Sequence, residues 1–463
     1  MSKQYSKDLT EGSILKNLIS FSIPLLLGNI LQVLYNTVDS IWVGRFIGSD
    51  ALGAVSVSFP IIMILISLVM GITMATTVLV SQYAGAKNED MVLKTVNNSL
   101  LLLGSAAIVV TIIGLIFSEK ILLLMNTPPE ILEYSTQYLN IFFFGLIFMF
   151  GYNVISSILR GLGDSKTPLR FLIVTTVLNL ILDPFLIIGI GPFPQMGIRG
   201  AAVATLISQG ISFMLALRHL DKQNHVISLK LKNLKFDKEL TLQTIKIGLP
   251  AGIQQVVTSL GMVVLTSIIN SFGADTIAAY GAASRLNQFA YMPAMSLGLA
   301  VSTLTGQSIG ANKSENIKEI YKWGNVSATV ITGITTIFVI VAPTLVLKLF
   351  TDDAQVLEIG SSILRIVGIT YVPFALMFIT NGILRGAGDT FPTMVFSIVS
   401  LWVIRVPLAK YLSSMDSLGS NGIWMAIAIS SVLSLLMSQV YYATGRWKSK
   451  TLVKNNKLKE AEA

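Results

Sequence analysis

Asp39 and Asp183 fall deep inside long apolar stretches of this chain, while the other Asp and Glu lie in short polar connections or tails. A carboxylate at membrane depth costs about 3 kcal/mol on even the mildest scales, so a chain that carries two has a use for them. Gln32, Tyr35, Asn36 and Asp39 follow a 3–4 spacing in LQVLYNTVDSIW and therefore share one helix face. Asn179 and Asp183 in VLNLILDPF are four apart and share another. Pro184 follows at once, and its missing N–H frees a carbonyl near Asn179–Leu180. The next segment, GAAVATLISQ, supplies small residues for close packing and the hydroxyl of Thr205.

If these three stretches converge, two carboxylates, an amide, a hydroxyl and a freed carbonyl surround one space. Oxygen ligands of that kind suit a hard cation such as Na⁺. Two neighbouring carboxylates in low dielectric also make a proton carrier. The plainer alternative is a pair of neutral aspartic acids that only bridge helices.

The elements that hold these residues are transmembrane helices. The chain has 463 residues, 53% hydrophobic and 12% charged, where a soluble protein carries about 25% charged residues. Twelve apolar stretches of spanning length run at 15–44, 52–82, 93–117, 134–157, 168–190, 199–219, 242–272, 279–307, 321–349, 359–383, 391–413 and 422–445. None shows the alternation of a membrane β-barrel, so the fold class is an all-α polytopic membrane protein. The polar start MSKQYSKDLTEGSILKN has no cleavable signal, because the first apolar stretch is too long for one.

Of 33 Lys and Arg, 25 lie in one alternating set of connections that includes both termini and the 218–246 loop. The positive-inside rule then puts both termini in the cytoplasm of a plasma-membrane protein. The net charge of +9 concentrates there too, which points the basic tail RWKSKTLVKNNKLKE at anionic headgroups and cytosol, with no nucleic-acid partner. There are no cysteines, and His219 and His225 are both expected in the cytoplasmic loop, so an enzyme lacks its nucleophile–base pair or metal ligands. No cofactor is expected beyond a coupling ion.

The chain repeats itself at a shift of 225 residues: FIGSDALGA with SFGADTIAA, SQYAGAKN with GQSIGANK, ILRGLGD with ILRGAGD. Two six-helix halves with the same orientation follow. The expected division is an amino-terminal lobe at 1–220, a cytoplasmic linker at 221–240, a carboxy-terminal lobe at 241–445 and a basic tail at 446–463. GAKN and GANK read as helix stops in which Gly and Asn take unusual backbone angles. The RGxGD loops read as helix caps, with Arg160 and Arg385 bonded to carbonyls or to Asp164 and Asp389.

FSIPLLLGNILQVLYNTVDSIWVG, SQYAGA, ILRGLGDSKTP, LNLILDPFLIIG, GIRGAAVATLIS, GLPAGIQQ and RLNQF together resemble the multidrug and toxic compound extrusion (MATE) family. The resemblance implies twelve transmembrane helices in two pseudo-symmetric bundles forming a V. It also implies export of small cationic or amphiphilic compounds by a monomer, in exchange for H⁺ or Na⁺. It maps the family's amino-lobe cation site onto Asp39, Asn179, Asp183 and Thr205, with Ala201 as a carbonyl donor; Asp39, Asn179 and Asp183 would be the metal ligands if the ion is Na⁺.

Substrate contacts are expected at Gln32, Tyr35, Asn36, Gln254, Gln255, Tyr291 and Met292. The carboxy half has no carboxylate in IQQVVTSLGMVVL or YVPFALMFITNGIL, so coupling is expected in the amino lobe alone. Arg285 and Arg405 are expected to bond interhelical carbonyls. The alternative function is that of a lipid-linked oligosaccharide flippase, which would need cavity-facing basic residues that the amino lobe lacks.

Overall fold

The computed structural model describes residues 7–223 and 236–452; His225, most of the expected linker and the tail beyond 452 lie outside them. Every apolar stretch expected from the sequence falls on helix, and no strand occurs among the described residues. The first six passes are α1 (Ile14–Phe46), α2 (Ser49–Gly85), α3 (Glu89–Leu124), α4 (Pro129–Gly161), α5 (Lys166–Pro184), which runs into a π-helical turn at Phe185–Gly189, and α6 (Ile198–Gln223). The second half holds α7 (Lys238–Asn270), α8 (Ala274–Gly310), α9 (Glu315–Val341), the short α10 (Pro343–Leu347), α11 (Ala354–Gly368) and α12 (Tyr371–Gly386). It ends with α13 (Phe391–Ile398), a π segment at Val399–Arg405, α14 (Val406–Ser413) and α15 (Asn421–Ala443).

Ten of these passes are long and apolar enough to cross a membrane, and α11 with α12, bent by 41°, makes an eleventh. Only α8 falls short among the twelve, although it has 37 residues. It carries Arg285, Asn287, Gln288 and Gln307 among many Ser and Thr, and its second half is buried on nearly every side. Elsewhere the usual burial is inverted: Leu124, Val341 and Leu349 are 84%, 75% and 78% exposed. Outward apolar side chains at this density match a hydrocarbon solvent.

The repeat holds in backbone detail. Gly163 and Gly388, 225 apart, stand at φ +88° and +89° and close the same C-terminal motif. Gly163 N–H donates to Arg160 and Asp164 N–H to Leu159, as Gly388 donates to Arg385 and Asp389 to Leu384. The second motif meets the expectation at asparagine and departs from it at glycine. Lys87 and Asn312 take the left-handed conformation, at φ +55° and +57°, while Gly85 and Gly310 stay helical. Those two glycines serve close approach: a Cβ on Gly85 would stand 2.1 Å from the Gln307 carbonyl oxygen, and one on Gly310 would stand 1.9 Å from that of Gln82.

Two compact units result. The first contains Leu27–Val80 and Asn88–Leu249, where α4 packs against α3 and α6, and α5 against α6. The second contains Asp8–Leu26, Ser81–Lys87 and the chain from Pro250, arranged around α8, which packs on α9, α11 and α12. Packing explains why Asp8–Leu26 joins the second unit: Leu9, Ile14, Leu18 and Phe21 are buried in one core with Leu297, Leu304, Ile320 and Ile379. Its backbone is tied there as well, through Leu9 N–H to Gln307 Oε1 at 2.9 Å and Asn316 Nδ2 to the Thr10 carbonyl at 3.0 Å.

The glycine crossing generates a test. Gly310→Ala should cost about 2 kcal/mol by overpacking and lower the thermal midpoint of detergent-purified protein. Gly333→Ala, with nothing within 4 Å of the added methyl, should leave it unchanged or slightly raised.

Candidate cation site in the amino-terminal half

Three helices bring the expected residues together. Tyr35 OH on α1 lies 3.0 Å from Thr205 Oγ1 on α6. Asn179 Nδ2 on α5 donates to Asp183 Oδ1 at 3.1 Å and reaches Thr205 Oγ1 at 3.4 Å. Asp183 is fully buried and Asn179 nearly so, while Asp39 is half-buried and close enough to Asp183 for the two to interact electrostatically. One oxygen of each carboxylate, Asp39 Oδ1 and Asp183 Oδ2, is buried without a hydrogen-bond partner. An unmet anionic oxygen in an apolar bundle is costly, and a proton or a cation would meet it.

Local backbone explains how Asp183 is held. α5 continues through Pro184, and the disruption falls just beyond it, as the π turn. Pro184 offers no N–H to the Leu180 carbonyl one turn back, as the sequence implied. Gly200 lets α6 start hard against that turn, since a Cβ there would stand 2.4 Å from the Leu186 carbonyl oxygen. Ala201 is buried with Val43, Ala54 and Ile187, one turn before Thr205.

Tyr138 on α4 escaped the sequence reading: it packs on this core and interacts electrostatically with both aspartates. With Thr205, Phe142, Met149 and Gln209 it lines a small open cleft. Gln32 and Asn36 stand exposed on α1, linked by a bond of 3.2 Å.

A family model described as MatE matches residues 24–185 and again 250–411, once in each half. The chain belongs to the MATE family. It is similar to "Probable multidrug resistance protein YpnP" of Bacillus subtilis (strain 168), at 35% identity over 96% of this chain and 98% of that protein. It is also similar to "Multidrug export protein MepA" of Staphylococcus aureus (strain MRSA252), at 25% identity over 93% and 94% of the two chains. Among solved structures, one titled "Outward-facing conformation of a multidrug resistance MATE family transporter of the MOP superfamily" superposes with a TM-score of 0.88. It is 25% identical and covers 97% of this chain and 99% of its own. This is a multi-pass membrane protein of a multidrug efflux family.

The carboxy half of this MATE chain disperses its expected contacts. Met292 is buried, 5% exposed, and packs in the core. Gln255 is exposed. Gln254 is engaged: it accepts from Arg385 Nη2 at 3.0 Å and donates to Ser397 Oγ at 2.6 Å and to the Thr393 carbonyl at 3.2 Å. Arg385 thus bonds a side-chain amide where a carbonyl or Asp389 was expected, and Asp389 accepts from Tyr441 OH at 2.6 Å. Arg160 Nε is buried without a partner, and Asp164 caps the amides of Lys166 and Thr167.

Tyr291 is half-buried, with its ring 4.1 Å from Phe374 and its hydroxyl 3.5 Å from Thr370 Oγ1. Arg285 is exposed. His219 lies within α6, its Nε2 buried and its ring edge-on to Phe171, where the sequence put it in a connection.

The two glutamines should therefore separate. Gln254→Ala leaves Arg385 without an acceptor and should cost about 1–3 kcal/mol, read as a lower thermal midpoint. Gln255→Ala should leave stability unchanged.

Proposed function

We propose that this MATE chain is a secondary antiporter that exports small cationic or amphiphilic compounds in exchange for H⁺ or Na⁺, coupled through Asp39 and Asp183. The observation that carries this reading is the pair of buried, unmet carboxylate oxygens, Asp39 Oδ1 and Asp183 Oδ2, beside a chain of bonds that runs from the other oxygen of Asp183 through Asn179 and Thr205 to Tyr35. Each can take a proton. Equally, Asp39, Asn179 and Asp183, with the Thr205 hydroxyl and the Ala201 carbonyl, offer the all-oxygen set that a hard cation prefers.

Gln32, Tyr35 and Asn36 share the α1 face of Asp39, so a cationic compound meeting that face would sense its charge. Gln255 and Tyr291 are the carboxy-half contacts that best fit this reading; Met292 and Gln254 serve packing. The charge bias of the connections supports cytoplasmic termini in the plasma membrane, and nothing in the site calls for more than one chain. A flippase is less well supported, because the amino-half site carries acids where a pyrophosphate would need bases.

Ion and drug then compete without touching. Neutralising the aspartates removes both the attraction for a cation and the need for water around them, so α1 can repack about Pro24. Linkage demands that bound drug weaken the ion by the same factor.

Asp39→Asn and Asp183→Asn keep side-chain volume and remove the charge. Each should abolish ion-driven efflux in proteoliposomes under separately imposed ΔpH and ΔpNa, with folding and insertion intact. Wild-type efflux in either well-expressed mutant would sink the proposal. In the unmutated protein, affinity for an ethidium-like cation should fall as pH drops or Na⁺ rises. A flat affinity across the series would rule out this coupling.

A further inference from the structure

The carboxy half holds a charge of the opposite sign at the corresponding place. Shifting the amino-half site by 225 residues puts Val264 at Asp39, Ile404 at Asn179 and Leu408 at Asp183, so every acid and amide is lost. Two positions keep polar chemistry. Thr205 becomes Ser430, and Arg405 stands one residue past the equivalent of Asn179. They are bonded to each other: Arg405 Nε donates to Ser430 Oγ at 2.8 Å, and Nη2 to Ser431 Oγ at 3.3 Å.

Arg405 closes the π segment of its pass and lies about 12 Å from the nearer end of Phe391–Ser413, well inside the apolar span. Its line along the helix, Leu401–Arg405–Ala409, is the protein-facing one, and Arg405 itself keeps partial exposure there.

A guanidinium has five N–H donors, and two of them meet serine hydroxyls. No carboxylate pairs with it among the described residues, whose two ion pairs are Lys94–Asp90 and Lys313–Glu11. Its electrostatic neighbours are the hydroxyls of Tyr280 and Tyr291. Both rings are fixed, Tyr280 by stacking on Trp424 with centroids 5.6 Å apart, and Tyr291 by Phe374. A staple between helices would use serines alone; a full charge with donors left over calls for an anion.

We propose that Arg405, positioned by Ser430 and walled by Tyr280 and Tyr291, binds a carboxylate-sized monovalent anion. The occupant is either the carboxylate of a transported zwitterionic or anionic compound or a small inorganic anion such as chloride. The inference extends the export reading above by adding a compound feature that the aspartate site repels. Because it is tested by equilibrium binding without ion gradients, it can fail while the coupling proposal stands, and the reverse.

The test uses full-length protein in lipid nanodiscs and a matched pair of probes: a cationic amphiphile bearing a carboxylate, and its methyl ester. Titrations are run in chloride and in gluconate. Arg405→Gln should weaken carboxylate binding at least tenfold and change the ester less than twofold, and Arg405→Lys should recover part of the loss. If the anion is part of the transported compound, the discrimination persists in gluconate. If it is inorganic, chloride competes with the carboxylate probe in unmutated protein and loses that effect in Arg405→Gln. Should Arg405→Gln fail to fold, Ser430→Ala removes the positioning hydroxyl and should lower carboxylate affinity selectively. Equal losses for acid and ester, or no response to either carboxylate or chloride, would overturn the proposal.

Discussion

A polar atom with no partner in an apolar surround cannot be left as it is, and the organisation of this chain follows from that constraint. Backbone groups answer it by being helical nearly throughout. Most buried hydroxyls answer it within their own helix, as Ser58 does to Ala54 and Thr332 to Ala328. Among the groups with no such local remedy are the carboxylates of Asp39 and Asp183, the guanidinium of Arg405, and the Leu180 carbonyl one turn before Pro184. Each lies near a helix irregularity or a face open to a ligand, and the functional proposals rest on them.

Much of this was readable without coordinates, for identifiable reasons. Long helices leave a length signal even where, as in α8, polar residues interrupt the apolar ones, so the passes were legible. So was the grouping of Asp39 with Tyr35 and of Asp183 with Asn179, because a spacing of four on a helix allows little else. Thr205 depended on convergence of separate helices, which its small-residue context suggested.

What stayed hidden is long-range. Tyr138 has no periodic partner on α4, and its place beside the aspartates is set by how α4 packs. Arg385 meets Gln254, 131 residues away, where the sequence offered a nearby carbonyl or Asp389. Which residue of GAKN or GANK turns left-handed also lay beyond spacing. Glycine is the obvious choice, but here close backbone approach claims it, and lysine and asparagine take the turn. Met292 read as a cavity wall because methionine suits one, yet its side chain is buried while Phe289 and Met295 take the exposed positions nearby.

The polarity of α8 has a consequence for how the protein is made. A segment that fails as a span by its own composition gains little by leaving the insertion machinery alone. Its Ser, Thr and Gln side chains become tolerable in the bilayer once α9, α11 and α12 surround them, and all three are synthesised later. The central pillar of the second unit is thus a helix that must wait for neighbours synthesised after it. Membrane integration of this half is then a joint event of several helices, so a lesion in α12 would be felt as a failure of α8 to stay in the membrane.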